Sequence, residues 1–238
     1  DRLTIALAQL NPTVGDVDGN ADLLRAARAE AAKAGCDLII TSELAIPGYP
    51  PEDLVIRPSF QQACAAAAAR LAAETSDGGP AMLIGSLWVE DGKVHNAALL
   101  LDEGRIAAVR LKHDLPNYGV FDEKRVFAAG PLPGPINFRD VRLGVQVCED
   151  MWTPEVTECL EESGAEIIVV LNGSPYTYDK WDERLNLAVA RVGEAGLPLI
   201  YVNQLGGQDE LVFDGGSFVL NADRKLQARA PDWQSAVT

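Results

Sequence analysis

The chain holds only two histidines, His95 and His113, and four cysteines, Cys36, Cys64, Cys148 and Cys159, none of them in a Cys-x-x-Cys pair. So small a stock of imidazole and paired thiol gives little from which to build a zinc site, and no metal is expected. A chain of 238 residues does not need disulfide staples, which points to a reduced, cytoplasmic setting. Basic residues are scarce as well: 20 Lys and Arg stand against 35 Asp and Glu, a formal charge of −15. Nucleic-acid-binding surfaces are basic, so no nucleic-acid partner is expected. No apolar run approaches the roughly 20 residues that span a bilayer, and no membrane partner is expected either. The first ten residues lack the basic start and cleavage site of a secretory signal. They read as a strand, and the absence of an initiator Met suggests a trimmed or processed chain. Two further absences concern chemistry. There is no Gly-x-Ser-x-Gly elbow for a serine nucleophile, and no glycine-rich phosphate or dinucleotide loop.

What is present suits one large α/β domain over residues 1–238. Hydrophobic residues make up 47% and charged residues 23%, ordinary values for a globular protein with a buried core. Leu3–Leu10 reads as the first strand. A loop over Gly15–Asn20 leads into a helix ended by Gly35. Asp37–Ser42 is the next strand, and a second helix begins near Pro58, with Cys64 on its core face. Three strands follow, Ala81–Val89, Val94–Leu101 and Arg105–Leu111, joined by Asp-Gly and Glu-Gly turns. Val141–Val147 is β-branched and extended, Pro154 opens a helix, and Cys159 within it is structural. Glu166–Leu171, a helix over Asp179–Ala195, and strands Pro198–Asn203 and Leu211–Leu220 complete the chain. Alternating helices and strands mixed with hairpins imply sheets with parallel and antiparallel neighbours and helices outside. Gly35–Glu43 echoes Gly164–Asn172, which two similar halves would explain, as would ordinary helix–strand grammar.

Three reactive side chains share an address. Glu43, Lys112 and Cys148 each lie just past the end of an apolar strand, where α/β folds commonly put ligand sites. Each alone has a plainer explanation: a loop cap, a surface lysine, a small core hydrophobe. Together they can hydrolyse an amide. Cys148 would attack the carbonyl while Glu43 takes its proton, and the Lys112 ammonium would favour the thiolate and the oxyanion. Glu43 would then protonate the departing amine and activate water. His95, early in a strand, reads as a hydrogen-bonded structural residue. His113 adjoins Lys112 and would face the other way.

At these residues the chain resembles the nitrilase, or carbon–nitrogen hydrolase, superfamily, whose signature is this Glu–Lys–Cys set. The words Pro47-Gly-Tyr-Pro-Pro-Glu-Asp-Leu54, Lys112-His-Asp-Leu-Pro-Asn-Tyr-Gly-Val-Phe-Asp-Glu123, Cys148-Glu-Asp-x-Trp152 and Asn172-Gly-Ser-Pro175 narrow the resemblance. They are similar to the glutaminase domains of glutamine-dependent NAD synthetases. The resemblance implies a four-layer α-β-β-α sandwich, with Glu43 as base, Lys112 as oxyanion-stabilising lysine and Cys148 as nucleophile. It implies L-glutamine as substrate, contacted by Tyr118, Ser174 and Lys180, with Lys180 suited to the substrate carboxylate. Glu123 would orient Lys112, and Glu149 would receive the substrate amino group. No cofactor is implied for this domain. ATP and Mg belong to a synthetase domain whose pyrophosphate-binding word is absent from the chain. That domain is the implied partner, and a homo-oligomer is implied too. On this reading the chain supplies ammonia for amidation of deamido-NAD and is a slow glutaminase by itself. The alternatives are a stand-alone amidase acting on another small amide and an idle domain kept for assembly.

Overall fold

The computed structural model describes residues 2–238. The first half runs β1 (Ile5–Gln9), α1 (Val17–Lys33), β2 (Leu38–Ile40), α2 (Pro58–Glu74), β3 (Ala81–Glu90), β4 (Lys93–Asp102) and β5 (Arg105–Leu111). A short α3 (Glu123–Val126) bridges to the second half. This comprises β6 (Ile136–Phe138), β7 (Val141–Val147), α4 (Pro154–Glu162), β8 (Ile167–Asn172), α5 (Lys180–Ala195) and β9 (Leu199–Asn203). A small hairpin of β10 (Leu205–Gln208) and β11 (Leu211–Asp214) precedes β12 (Phe218–Leu220), β13 (Leu226–Arg229) and β14 (Ala236–Val237).

Two six-stranded sheets result, ordered β14-β1-β2-β3-β4-β5 and β6-β7-β8-β9-β12-β13. In each, three strands are parallel and linked through helices, and the edges are antiparallel. Strand for strand, the second sheet repeats the first. The echo between Gly35–Glu43 and Gly164–Asn172 therefore reflects two similarly built halves.

Period-two alternation sorts the strand residues into layers. Leu38 and Ile40 of β2 face Val145, Val147, Val169 and Leu171 of the other sheet, forming the central layer. Ile39 instead faces α1 and α2, in a layer with Leu24, Ala27, Cys64 and Leu71. Ile168 and Val170 of β8 likewise face α4 and α5, against Val156, Leu160, Ala188 and Val192. The architecture is the expected α-β-β-α sandwich.

Some boundaries differ from the sequence reading. The helix expected after Gly15–Asn20 begins inside that stretch at Val17, because the Asp16 side chain accepts the Gly19 N–H at 3.0 Å and starts the helix early. The single strand expected over Leu211–Leu220 is two strands in different sheets. The chain turns at Gly215 and Gly216, both at positive φ (75° and 66°). A Cβ at Gly215 would lie 2.3 Å from the Gln9 side chain, so only glycine turns here. Among the described residues, no helix is long and apolar enough to cross a membrane.

Candidate active site

Three strand ends converge. β2 releases the chain at Thr41, and Glu43 lies buried two residues on, its backbone N–H donating to the Asn172 carbonyl of the other sheet at 3.3 Å. β5 runs directly into Lys112, whose backbone is held by Asn96 and Gly130. β7 runs into Cys148, which takes a φ of +45° at the start of a tight turn through Met151. A positive φ is uncommon for a residue with a side chain, and such strain collects at functional sites. Thr153 and Pro154 then open α4.

Glu43 and Lys112 are fully buried and Glu123 is 6% exposed. The Lys112 ammonium donates to Glu43 Oε1 at 2.7 Å and to both oxygens of Glu123 at 2.9 Å. Glu43 Oε1 also accepts from Asn96 Nδ2 at 2.7 Å, and its Oε2 accepts the Gly173 N–H at 2.9 Å. The Glu43 carboxylate thus has a fixed orientation. Gly173 has to be glycine, since a Cβ there would sit 2.9 Å from the Tyr49 ring.

Two carboxylates around one ammonium leave the cluster short of positive charge. The Lys112 ammonium is held well above its usual range. Burial opposes its charge, but Glu123 and Glu43 outweigh that penalty. The Glu123 carboxyl is pushed up to about 7, by burial first, with Lys112 pulling the other way. The Cys148 thiol is driven well above its ordinary value by burial and then by the Glu43 charge, and Lys112 only partly offsets this. Lys112 does favour the thiolate, as expected, but burial and the Glu43 charge act more strongly the other way. A buried anion beside two carboxylates costs more than one ammonium returns, so these surroundings favour the protonated sulfur.

The remaining sequence-predicted residues surround this cluster unevenly. Tyr118, half exposed, donates its hydroxyl to both Glu149 oxygens at 3.0 Å. An open cleft of about 700 Å³ begins there, lined by His113, Asp114, Asn117 and Thr153 among others. Lys180, the first residue of α5, lies 4.6 Å from the centre of the Trp152 ring and donates to Glu183 at 2.7 Å. A bound carboxylate would have to share it with Glu183. Ser174 is buried two residues beyond the strand end. His95 and His113 each hydrogen-bond a carbonyl through Nδ1, of Ala128 and Gly130, both at 2.8 Å. Among the described residues, no group of three or more His, Cys, Asp or Glu is arranged to hold a metal ion.

Sequence reasoning missed several residues of this neighbourhood. Asn96 and Gly173 fix Glu43. Asp150 accepts N–H groups from His113 at 3.0 Å and Asp114 at 2.8 Å through Oδ1, and from Val147 at 3.0 Å through Oδ2. It ties the end of β5 to the end of β7. Burial pushes its carboxyl up to about 6, against the pull of those donors. A polar Asn inside the apolar run of β4 was the one available signal; for Gly173 and Asp150 the signal was only their place inside a motif.

Residues 4–238 match the carbon–nitrogen hydrolase family model. The chain is 47% identical over 237 residues to the glutamine-dependent NAD(+) synthetase of Rhodobacter capsulatus, covering all of this chain and 43% of that protein. It is 40% identical over 227 residues to the same-named protein of Thermotoga maritima, covering 94% of this chain and 39% of that one. The chain thus spans less than half the length of these relatives. Its fold superposes on glutamine-dependent NAD+ synthetase from Acinetobacter baumannii with a TM-score of 0.94 and 36% identity, covering 99% of this chain and 44% of the other. An amidase from Nesterenkonia sp. superposes with a TM-score of 0.88 and 28% identity, over 99% of this chain and 88% of that one. In a mutant of the amidase from Nesterenkonia sp. AN1, acrylamide undergoes Michael addition at the active-site cysteine. With a family match over almost its full length and a buried Glu–Lys cluster beside a strand-end cysteine, this chain belongs to the carbon–nitrogen hydrolase family.

Proposed function

We propose that the chain hydrolyses the side-chain amide of L-glutamine through a thioester on Cys148, as the ammonia-supplying part of a glutamine-dependent NAD synthetase. The observation that carries this reading is the buried cluster in which Lys112 joins Glu43 and Glu123 beside Cys148. Glu43 takes the Cys148 proton as sulfur attacks the amide carbon. The carbonyl oxygen gains negative charge and is met by the Lys112 ammonium, whose charge is already secured by two carboxylates. Glu43 passes its proton to nitrogen, the C–N bond breaks, and ammonia leaves. A water molecule then gives a proton to Glu43 and attacks the thioester; that proton returns to sulfur as the product departs as a carboxylic acid, which gives its remaining proton to solvent. Glu123 keeps Lys112 in register and does not touch the reacting atoms.

For the amino-acid end of glutamine, Glu149 with Tyr118 offers negative charge to an ammonium, and Lys180 with Ser174 suits a carboxylate. ATP and Mg would act in the remainder of the larger protein, with which this chain would partner in the cytoplasm, in a homo-oligomeric assembly. A stand-alone amidase is the second reading, favoured by the likeness to an amidase of nearly matching length; the 47% identity to a glutamine-dependent synthetase outweighs it. The test is mass spectrometry of the protein quenched during turnover with L-glutamine. A glutamyl adduct on Cys148 is expected, and Cys148→Ala should lose at least ~10³-fold in glutamate release while staying folded. Faster hydrolysis of short aliphatic amides than of glutamine would instead favour the amidase.

A further inference from the structure

α5 carries a guanidinium that the amide chemistry does not use. Arg184 is 1% exposed, and all three of its nitrogens are engaged. Nη1 donates to both Asp214 oxygens, at 2.8 and 3.1 Å. Nη2 donates to the carbonyls of Ser174 at 2.6 Å and Pro175 at 3.0 Å. Nε donates to the Ser174 hydroxyl oxygen at 3.0 Å. Asn203, the last residue of β9, closes the other side: Oδ1 accepts the Ser174 N–H at 2.9 Å, and Nδ2 donates to the Ser174 carbonyl at 3.1 Å. A buried ion pair and a buried amide are thus both devoted to one serine at the edge of the site. The preceding residue, Gly173, gives its N–H to Glu43.

The polarity of this arrangement matters. A serine hydroxyl has one proton to give and two lone pairs to offer. Arg184 has no lone pair to offer, so the Ser174 oxygen has to accept from it and cannot spend its own proton there. Tyr201, whose buried phenol is a further hydrogen-bond partner of Ser174, can give its own proton to the second lone pair, so the Ser174 proton is left for another acceptor. We infer that Arg184, braced by Asp214, is a positioning residue that turns the Ser174 hydroxyl into a committed donor toward the carboxylate end of the amino-acid substrate. The inference rests on the glutamine reading above and deepens it: recognition of the amino-acid end depends on a residue that never touches the substrate. Lysine could hold the charge opposite Asp214 but lacks the planar fork that reaches Ser174 Oγ and two carbonyls at once.

The test compares two electrophiles on the whole 238-residue chain. 6-Diazo-5-oxo-L-norleucine carries the amino-acid end of glutamine; iodoacetamide does not. Both alkylate Cys148, the first by taking the thiol proton on its diazo carbon and losing N₂ as the C–S bond forms, the second by losing iodide. In Arg184→Lys, the rate constant with the diazoketone should fall about tenfold, the worth of one well-placed hydrogen bond. That with iodoacetamide should stay within about twofold, and the KM for glutamine should rise with little change in kcat. In a Ser174→Ala background, Arg184→Lys should add nothing further. Equal slowing of both reagents, or an undiminished Arg184 effect without the Ser174 hydroxyl, would overturn the inference and leave Arg184 a structural residue. If Arg184→Lys does not fold, Asp214→Asn loosens the brace and keeps the fork; a selective loss of about threefold with the diazoketone is expected, and none or an unselective one counts against it. An unaltered protein that shows no preference for the diazoketone is a different failure: it removes the glutamine reading itself.

Discussion

Glu43 and Asn172 occupy matching places in the two halves, by the echo of Gly35–Glu43 in Gly164–Asn172. Asn172 ends the second parallel strand of its sheet and Glu43 lies just past the end of its own, and the two meet where the Glu43 N–H reaches the Asn172 carbonyl. Their surroundings have opposite polarity. Glu43 is an acceptor ringed by donors: Lys112, Asn96 and the Gly173 N–H. Asn172 is a donor facing acceptors, the carbonyls of Val170 at 3.0 Å and Val202 at 3.3 Å. The strand-and-helix plan is common to both halves; what differs is which hydrogen-bonding groups the strand ends expose. The first half concentrates titratable groups in the site. The second contributes Cys148 and backbone donors, and keeps its own buried ion pair, Arg184–Asp214. A shared plan therefore says little about chemistry until the strand-end residues are read.

Three experiments press on that contrast. The largest effect is expected from Lys112→Met, which leaves Glu43 and Glu123 buried without a cation. Breaking a buried ion cluster from one side costs about 3–5 kcal/mol, readable as a lower urea midpoint, and amide turnover should fall by ~10²-fold or more. Unchanged stability would mean that the two carboxylates do not depend on the lysine. Next is Asn172→Asp, which points a carboxylate at the carbonyls of Val170 and Val202. A loss of about 1–3 kcal/mol is expected; a neutral result would erase the polarity difference between the halves.

The smallest effect concerns pH. Glu123 rises in the folded state from an ordinary 4.5 to about 7. The folded protein therefore holds a proton that the unfolded chain releases. Its contribution is present below pH 4.5 and is lost as pH rises to about 7. Asp150, raised from 3.8 to about 6, acts in the same direction. Urea midpoints should fall across this range, and Glu123→Gln should make the fall shallower. An unaltered slope would sink the assignment of that proton to Glu123.

Much of the fold was legible because alternation and helical spacing report burial directly. Leu38-Ile39-Ile40 and Val141–Val147 declared strands, and Trp181, Leu185, Ala188 and Val192 declared one helix face. The turn at Gly215-Gly216 was not legible, since what forbids a side chain there is Gln9, some two hundred residues earlier in the chain. The site divides the same way. Glu43, Lys112 and Cys148 were visible as reactive groups at strand ends. Their protonation was not, because the Cys148 thiol answers to burial and to the Glu43 charge, which sequence does not reveal. Asn96 and Arg184 escaped because their importance lies in what they hydrogen-bond, across 53 residues in one case and 10 in the other.

Asp150 bears on how finely the two sheets must fit. Lys112 hangs from one sheet and Cys148 from the other, so their separation would ordinarily inherit every small error in the packing between them. One carboxylate clamps the backbone beside each: His113 and Asp114 on one side, Val147 on the other. The spacing of charge and sulfur is then gauged locally, at the point of use. Core substitutions that shift the sheets by a few tenths of an ångström can accumulate without moving the lysine relative to the thiol, which gives the sandwich latitude to vary its interior while its chemistry stays in register.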